Sequence, residues 1–186
     1  TYHEMYLDPT LALRPLQLSD ADAVAQVIYD VCVAEGDAIV AMSADELKHE
    51  WQKPDFNMEK DAFVVQTPEG RIVGYAEVFN IHEYAILEMN GNVHPDFKGR
   101  GIGTTLLRTI EKRAREIITL AEPDVRVVIK TTLNKRDTDG VTLHQNEGYH
   151  PFRYHWRMEV VLNGSPKEPK LPEGIEFRPF IKGEHD

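Results

Sequence analysis

A glycine-rich turn lies between a predicted strand and the most regular amphipathic helix of the chain. Residues 98–104 read Lys-Gly-Arg-Gly-Ile-Gly-Thr, and three glycines let the backbone bend sharply and approach a ligand without an intervening Cβ. The N–H groups at a helix start have no intrahelical acceptor, and the helix dipole adds partial positive charge there. The chemistry that this turn favours is therefore the binding of a phosphate or pyrophosphate through backbone amides.

The spacing of the glycines separates this turn from two other phosphate-binding motifs. Gly99, Gly101 and Gly103 follow the pattern G-x-G-x-G, whereas dinucleotide-binding turns have G-x-G-x-x-G and Walker loops require Gly-Lys-Ser/Thr. By spacing alone, a tight connection between a strand and a helix explains the glycines about as well. A glycine within a helix costs about 1 kcal/mol relative to alanine, which favours a ligand-binding role over packing alone.

The pattern of apolar residues predicts strands and helices on both sides of the turn. A short strand over 12–18 is followed by helices that begin at Ser19 and Ser43, each with an acidic residue three positions later. The further elements are strands over 62–66, 72–79, about 85–93 and 125–131, a long helix over 101–118, a short helix from 137 or 138 to 148, and one or two strands over 152–162. This order predicts an α/β (α+β) domain with a central sheet.

The turn and its surroundings resemble the acetyl-CoA signature of the GNAT N-acetyltransferase superfamily. Residues 93–103 are similar to the pattern Q/R-x-x-G-x-G/A that follows the fourth strand of that family, with Lys98 in the place of Gln or Arg. The order of the elements over 12–162 resembles the family as well. The resemblance implies a GNAT fold: a mixed central sheet of about six to seven strands, splayed between strands four and five and flanked by about four helices.

The resemblance also implies which residues hold acetyl-CoA, the expected co-substrate. The backbone amides of the turn would bind the pyrophosphate, and the end of the fourth strand would pair with pantetheine and direct an amide near Val93 at the acetyl carbonyl. The implied cofactor-binding residues are Gly91, Asn92, Val93, Lys98, Gly99, Arg100, Gly101, Ile102, Gly103, Thr104 and Asp137.

A second family landmark, N-x-x-A-x-x-L-Y-x-x-x-G-F, corresponds to residues 137–149. Leu143 and Gly148 keep their places, but His144 stands where the family often has the tyrosine that protonates the leaving thiolate. An imidazolium can donate that proton, whereas a neutral imidazole would only hold the helix in place. Two interpretations stay open: an N-acetyltransferase with His144 as the acid, or a non-catalytic domain that only binds acetyl-CoA.

Direct transfer to an amine also needs a base or a water path, because an ammonium ion cannot attack a thioester. Glu88, on the strand that leads to the expected oxyanion hole, is the first candidate, and Glu77, Glu83 and His82 are rivals. Alternation along the strand fixes the face on which Glu88 lies, although a bulge would reverse it. A solvated strand residue explains Glu88 equally well.

Charge and composition limit the class of partner. The 186 residues carry a formal net charge of −10, which disfavours nucleic acid and suits a small cationic amine, although acidity also serves solubility. No apolar stretch approaches the roughly 18 residues of a membrane span and no signal peptide is visible, so we expect a cytoplasmic protein without a membrane partner. The single Cys32 and the spacing of the histidines predict no metal site.

The end of the sequence resembles its beginning. Residues 163–174 contain three prolines and few apolar residues, which is typical of a linker. The residues 176–186 then align with 12–22, with the Arg-Pro pair and the final Asp identical, although so short a match also arises by chance. We therefore expect a GNAT domain over 1–162, the linker, and in cis the truncated start of a second GNAT-like domain over 175–186. This layout resembles the tandem, mycothiol-synthase-like type of the family.

Overall fold

The computed structural model describes residues 6–183, and internal contacts divide the chain into two units, residues 1–150 and 151–186. All helices and strands among the described residues lie in the first unit. The described part of the second unit, 151–183, contains only turns, bends and irregular backbone. The prediction of strands over 152–162 is therefore wrong for this structure: the alternating apolar side chains meet no covering surface, and Trp156 and Met158 are 81% and 91% exposed.

A mixed sheet of five strands in the order β1-β2-β3-β4-β5 forms the centre of the first unit. Neighbouring strands are antiparallel except for β4 and β5, which are parallel. The predicted six to seven strands are too many, because 152–162 contribute none. The strands are β1 Ala12–Pro15, β2 Ala62–Gln66, β3 Ile72–His82, β4 Ile86–Val93 and β5 Val128–Lys130.

Five α-helices accompany the sheet within the described residues, one more than predicted because α3 is an additional single turn. They are α1 Ala21–Ala34, α2 Ala44–Trp51, α3 Met58–Asp61, α4 Ile102–Ile117 and α5 Thr138–Asn146.

The starts of the first two helices show where local sequence signals succeed and fail. Helix α2 begins with the predicted capping box: the Glu46 N–H donates to the Ser43 hydroxyl at 3.3 Å, and the Ser43 N–H donates to the Glu46 carboxylate at 2.8 Å. Helix α1 begins at Ala21 instead of Ser19. The carboxylate of Asp20 accepts from the Gln17 N–H at 2.9 Å, which stabilises a 3₁₀ turn before the helix.

The two faces of the sheet pack against different helices. On one face, α1 and α2 bury a cluster that includes Val24, Trp51 and Tyr75. On the other, α4 buries a cluster that includes Val78 and Ile110. Because successive residues of a strand point to opposite faces, β3 supplies Tyr75 to the first cluster and Val78 to the second. Each large apolar side chain buried in this way contributes about 1.5–3 kcal/mol.

Strands β4 and β5 separate after a short parallel ladder. The pairs are Ile86–Val128, Leu87–Ile129 and Glu88–Lys130. Beyond the last pair, residues 89–93 and 131–134 line a common cleft. The expected splay between strands four and five is therefore confirmed.

Candidate active site

The cleft between β4 and β5 has a volume of about 660 Å³, which lies within the usual range of small-molecule sites. The end of β4, the glycine turn, the first turns of α4 and helix α5 contribute to its lining. Of the residues singled out from the sequence, the structure brings together in this cleft Gly91, Asn92, Val93, Lys98, Gly99, Gly101, Ile102, Gly103, Thr104, Asp137 and His144. Arg100 and Glu88 are not part of this lining.

The glycine turn directs the start of α4 into the cleft. Gly99 and Gly101 have φ angles of 77° and 76°, a left-handed conformation that glycine adopts without steric cost. The first hydrogen bond of the helix runs from the Thr105 N–H to the Gly101 carbonyl at 3.0 Å. The N–H groups of residues 102–104 precede that bond, so the helix itself offers them no acceptor. Free N–H groups at the start of a helix are a backbone donor set that suits an anion.

An N-terminal segment, residues 6–8, packs against the same turn. The Asp8 N–H donates to the Arg100 carbonyl at 3.0 Å, and a Cβ on Gly101 would collide with the Tyr6 carbonyl. The Arg100 side chain lies 3.6 Å from the Asp8 carboxylate and 5.2 Å from the centre of the Phe97 ring. The contacts of Arg100 therefore connect the turn to residues 6–8. No sequence pattern marked residues 6–8.

The side chains of Lys98 and Asp137 contact each other. Lys98 Nζ lies 3.0 Å from Asp137 Oδ1 and 3.5 Å from the Asp139 carboxylate. Partial burial acts against the charged amine, but these two carboxylates raise the pKa of Lys98 above its ordinary value. A Cβ on Gly140 would collide with the Asp137 carboxylate. This ion pair links the glycine turn to the N-terminus of α5. The pKa of the neighbouring Glu35 is raised, mainly by the burial of its carboxyl group and next by the negative charge of Asp137.

His144 lies on α5 with one ring nitrogen already engaged. Its Nδ1 is 2.8 Å from the Gly140 carbonyl, which can only accept, so Nδ1 carries a hydrogen and Nε2 is the nitrogen left for proton exchange. The ring meets that of Tyr149 edge to face at 5.5 Å. Burial raises the pKa of the Tyr149 hydroxyl above its ordinary value, so Tyr149 stays neutral and acts as a packing partner that fixes the imidazole.

Three of the four candidate bases stand apart from the end of β4. Glu88 forms an ion pair with Lys130 at 2.9 Å, at the last pair of the parallel ladder. His82 and Glu83 lie at the opposite end of the β3–β4 hairpin, where Glu83 has a φ of 44°. About seven residues separate His82 and Glu83 from Val93 along the strands, roughly 24 Å at 3.4 Å per residue.

Glu77, the fourth candidate, lies in a buried hydrogen-bond network at the centre of β3. It is 4% exposed and accepts hydrogen bonds from the Tyr75 hydroxyl, from Trp51 Nε1 at 3.2 Å and from Asn90 Nδ2 at 3.3 Å. Burial raises the pKa of Glu77, and these hydrogen bonds offset only part of that effect. The alternation of the strands is intact here, so Glu77 is paired with Asn90 and its side chain shares a face with Glu88.

The fold and the cleft agree with the comparison of the sequence with known families. Residues 28–127 match the acetyltransferase (GNAT) family, which is just over half of the chain. The chain belongs to the GNAT acetyltransferase family. A mycothiol acetyltransferase from Salinispora arenicola is 25% identical over 122 residues, 66% of this chain and 36% of that protein. The chain spans about a third of the length of the curated relatives it matches.

Solved structures show the same fold. A GCN5-related N-acetyltransferase from Sphaerobacter thermophilus is 32% identical and superposes with a TM-score of 0.82 over 96% of this chain and 55% of that one. A phosphinothricin acetyltransferase from Sinorhizobium meliloti in complex with AcCoA is 18% identical, with a TM-score of 0.57 over 75% of this chain and 74% of that one. In the part of the chain that the structure describes, no helix is long and apolar enough to cross a membrane.

Proposed function

We propose that this chain binds acetyl-CoA between β4 and β5 and transfers the acetyl group to an amine by direct attack. The observation that carries the proposal is the convergence of the glycine turn, the end of β4 and His144 in one cleft. Family membership and the AcCoA complex of a structural relative support the same cofactor.

The residues of the cleft fit acetyl-CoA in two respects. The N–H groups of residues 102–104 and the positive end of the α4 dipole suit its pyrophosphate. The ladder between β4 and β5 ends at Glu88, which leaves the edge of β4 over residues 89–93 open to an extended ligand. Pantetheine contains amide groups and can pair with such an edge in the way an added strand does.

Each step of the transfer has a candidate group in the proposal. A backbone N–H near Val93 would stabilise the tetrahedral oxyanion, and a preformed donor of this kind is worth about 3–4 kcal/mol of barrier. His144 would give a proton to the departing thiolate through Nε2. A carboxylate or a water molecule would take a proton from the acceptor ammonium.

A second candidate function is acetyl-CoA binding without transfer. The observation that favours it is the histidine at position 144, where the family often has tyrosine. Calorimetry with acetyl-CoA and a thiol assay of CoA release with a panel of amines separate the two functions. Binding with release supports the transferase, and binding without release supports the non-catalytic domain. No binding would contradict both.

We also propose that a second GNAT domain follows in cis, after a domain over 1–162 and a linker over 163–174. The support is the repeated Arg-Pro pair at 14–15 and 178–179; the last residues of the aligned segment, 184–186, lie outside the described residues. Mass spectrometry of the protein from its natural source tests this, because the 186 residues alone weigh 21.3 kDa. Fractionation of the same cells tests the proposed cytoplasmic location.

A further inference from the structure

A second cavity, of about 350 Å³, lies on the side of the sheet that carries α2. It does not belong to the glycine turn, and none of the implied cofactor-binding residues lines it. Its volume is at the lower end of the range for small-molecule sites. Its lining combines apolar side chains with charged and polar groups, among which Glu77 is buried, Asn90 is half-buried and Glu88 is paired with Lys130. The residues that matter here are Met42, Leu47, Phe56, Phe79, Glu77 and Asn90.

Asn90 connects this cavity to the cleft. It lines both, and it immediately precedes Gly91, the first of the residues expected to pair with pantetheine. Its side-chain amide donates to Glu77 at 3.3 Å. Through Asn90, Glu77 is therefore linked to the part of β4 that lines the cleft.

We propose that the second cavity binds the acceptor, a small primary amine with an apolar body, and that Glu77 accepts the proton of its ammonium group. This inference rests on the acetyl transfer proposed above. It makes Glu77 a catalytic residue, because its carboxylate contacts the substrate nitrogen, and it gives Tyr75 and Trp51 the role of positioning residues.

The contacts of the two carboxylates decide between Glu77 and Glu88. The charge of Glu88 is neutralised by Lys130 at 2.9 Å. Among the described residues, the donors that reach Glu77 are the neutral groups of Tyr75, Trp51 and Asn90, which orient the carboxylate without supplying a cation. An ammonium group is the partner that would complete this site. Burial also raises the pKa of Glu77, which makes its carboxylate a stronger base than an exposed glutamate.

The walls of the cavity select the rest of the acceptor. The rings of Phe56 and Phe79 stack with their centres 4.9 Å apart, and Met42 and Leu47 extend the apolar surface. At the edge, the Glu50 carboxylate is occupied by Lys53. A body rich in hydroxyl groups would leave polar groups unpaired against these walls, whereas an alkyl or aryl body would not.

The protons and bonds balance. The ammonium gives one proton to Glu77, and the neutral nitrogen forms a bond to the acetyl carbon. The carbon–sulfur bond then breaks, the electron pair leaves with sulfur, and His144 or water protonates the thiolate. As the amide forms, the nitrogen loses a second proton, and this proton replaces the one that His144 or water gave to the thiolate. Glu77 returns its proton to solvent, so that each turnover yields one amide, one CoA thiol and one proton.

Glu77→Gln and Glu88→Gln form the matched pair that tests the base, since both remove one carboxylate on the same face of the sheet. We expect Glu77→Gln to lower kcat at least 100-fold, the usual scale for a lost general base, while the Kd for acetyl-CoA changes less than threefold. We expect Glu88→Gln to keep a kcat at least ten times that of Glu77→Gln, because its charge is already neutralised by Lys130. A kcat of Glu77→Gln within threefold of wild type would overturn the assignment, as would a large loss confined to Glu88→Gln.

The positioning role of Trp51 has its own readout. Trp51→Phe keeps the ring packing but removes the donor that reaches both Tyr75 and Glu77. We expect it to shift the pH dependence of kcat to higher pH, because Glu77 loses a hydrogen bond that favours its charged form. An unchanged profile would contradict the positioning role.

A panel of amines tests the cavity: 2-phenylethylamine and isopentylamine against glucosamine. We expect kcat/KM at least tenfold higher for the two apolar amines, and equal or better turnover of glucosamine would overturn the inference. Saturation-transfer NMR with the same amines separates this inference from the transfer reaction. If 2-phenylethylamine binds to the wild type, if Phe79→Asp abolishes that binding, and if no CoA is released, the result contradicts the reaction but supports the cavity as a binding site. If neither apolar amine binds, the assignment of the cavity is overturned.

Discussion

The anion site at the start of α4 can be tested with a pair of variants at Gly99 that differ by one charge. A Cβ on Gly99 would meet no atom within 4 Å, and Asn and Asp are the residues that tolerate its left-handed backbone best. Gly99→Asn and Gly99→Asp therefore cost about the same in folding. Gly101 is unsuitable, because any side chain there collides with Tyr6 whether or not a ligand binds.

The expected effect follows from the charge that the aspartate adds. Two unit charges 4 Å apart interact by about 1 kcal/mol in water, and a pyrophosphate brings about two negative charges to the turn. The Gly99→Asp variant should therefore bind acetyl-CoA about 2 kcal/mol more weakly than Gly99→Asn, which is roughly 30-fold in Kd.

Calorimetry of both variants with acetyl-CoA at low and at high salt measures this difference. The difference in Kd between the two variants should become smaller at about 1 M salt, where the Debye length falls to about 3 Å. Acetyl-pantetheine, which lacks the pyrophosphate, is the control ligand and should bind both variants equally. Equal Kd values for acetyl-CoA at low salt would refute the placement of the pyrophosphate at this turn.

Three further predictions concern the side chains around the cleft. Lys98→Met removes the ion pair with Asp137. Because an exposed ion pair is worth at most about 1 kcal/mol, calorimetry should show the Kd for acetyl-CoA rising less than about fivefold. A larger rise would mean that the Lys98 side chain contacts the ligand directly. His144→Gln keeps the polar contact with α5 but cannot deliver a proton, so stopped-flow thiol assays should show kcat falling at least tenfold with an unchanged Kd; an unchanged kcat would remove His144 from the mechanism. The pKa of Glu77 is higher in the folded chain than its unfolded value near 4.5, so the folded state binds the proton of Glu77 more tightly. Protonated Glu77 therefore adds to the free energy of unfolding at low pH, and this stabilisation is lost as pH rises from about 4.5 through the folded pKa. Urea titrations across that window should give a flatter pH dependence for Glu77→Gln than for wild type, and parallel curves would contradict the raised pKa.

Local signals predicted the glycine turn and the helices beside it. Gly99 and Gly101 mark left-handed positions, and Ser43 with Glu46 marks a helix start, because each depends on interactions within a few residues. The cleft followed from resemblance, since the divergence of β4 and β5 has no signature of its own in either strand.

Long-range contacts could not be predicted in the same way. The packing of residues 6–8 on the turn joins segments more than 90 positions apart, and the hydrogen bond from Trp51 to Glu77 joins α2 to β3. Alternation over 152–162 predicted a strand, but alternation describes only the two faces of a strand. Whether a strand forms also depends on a neighbour that supplies hydrogen bonds and covers the apolar face, and the local pattern does not reveal that neighbour.

The most direct test of acetyl transfer is ¹³C NMR of the purified chain with acetyl-CoA labelled at the carbonyl carbon and 2-phenylethylamine as acceptor. The thioester carbonyl signal should be replaced by the carbonyl signal of N-acetyl-2-phenylethylamine, at the rate at which free CoA thiol appears and dependent on Glu77. A thioester signal that persists, or that converts only to free acetate, would contradict acetyl transfer to an amine in this cleft.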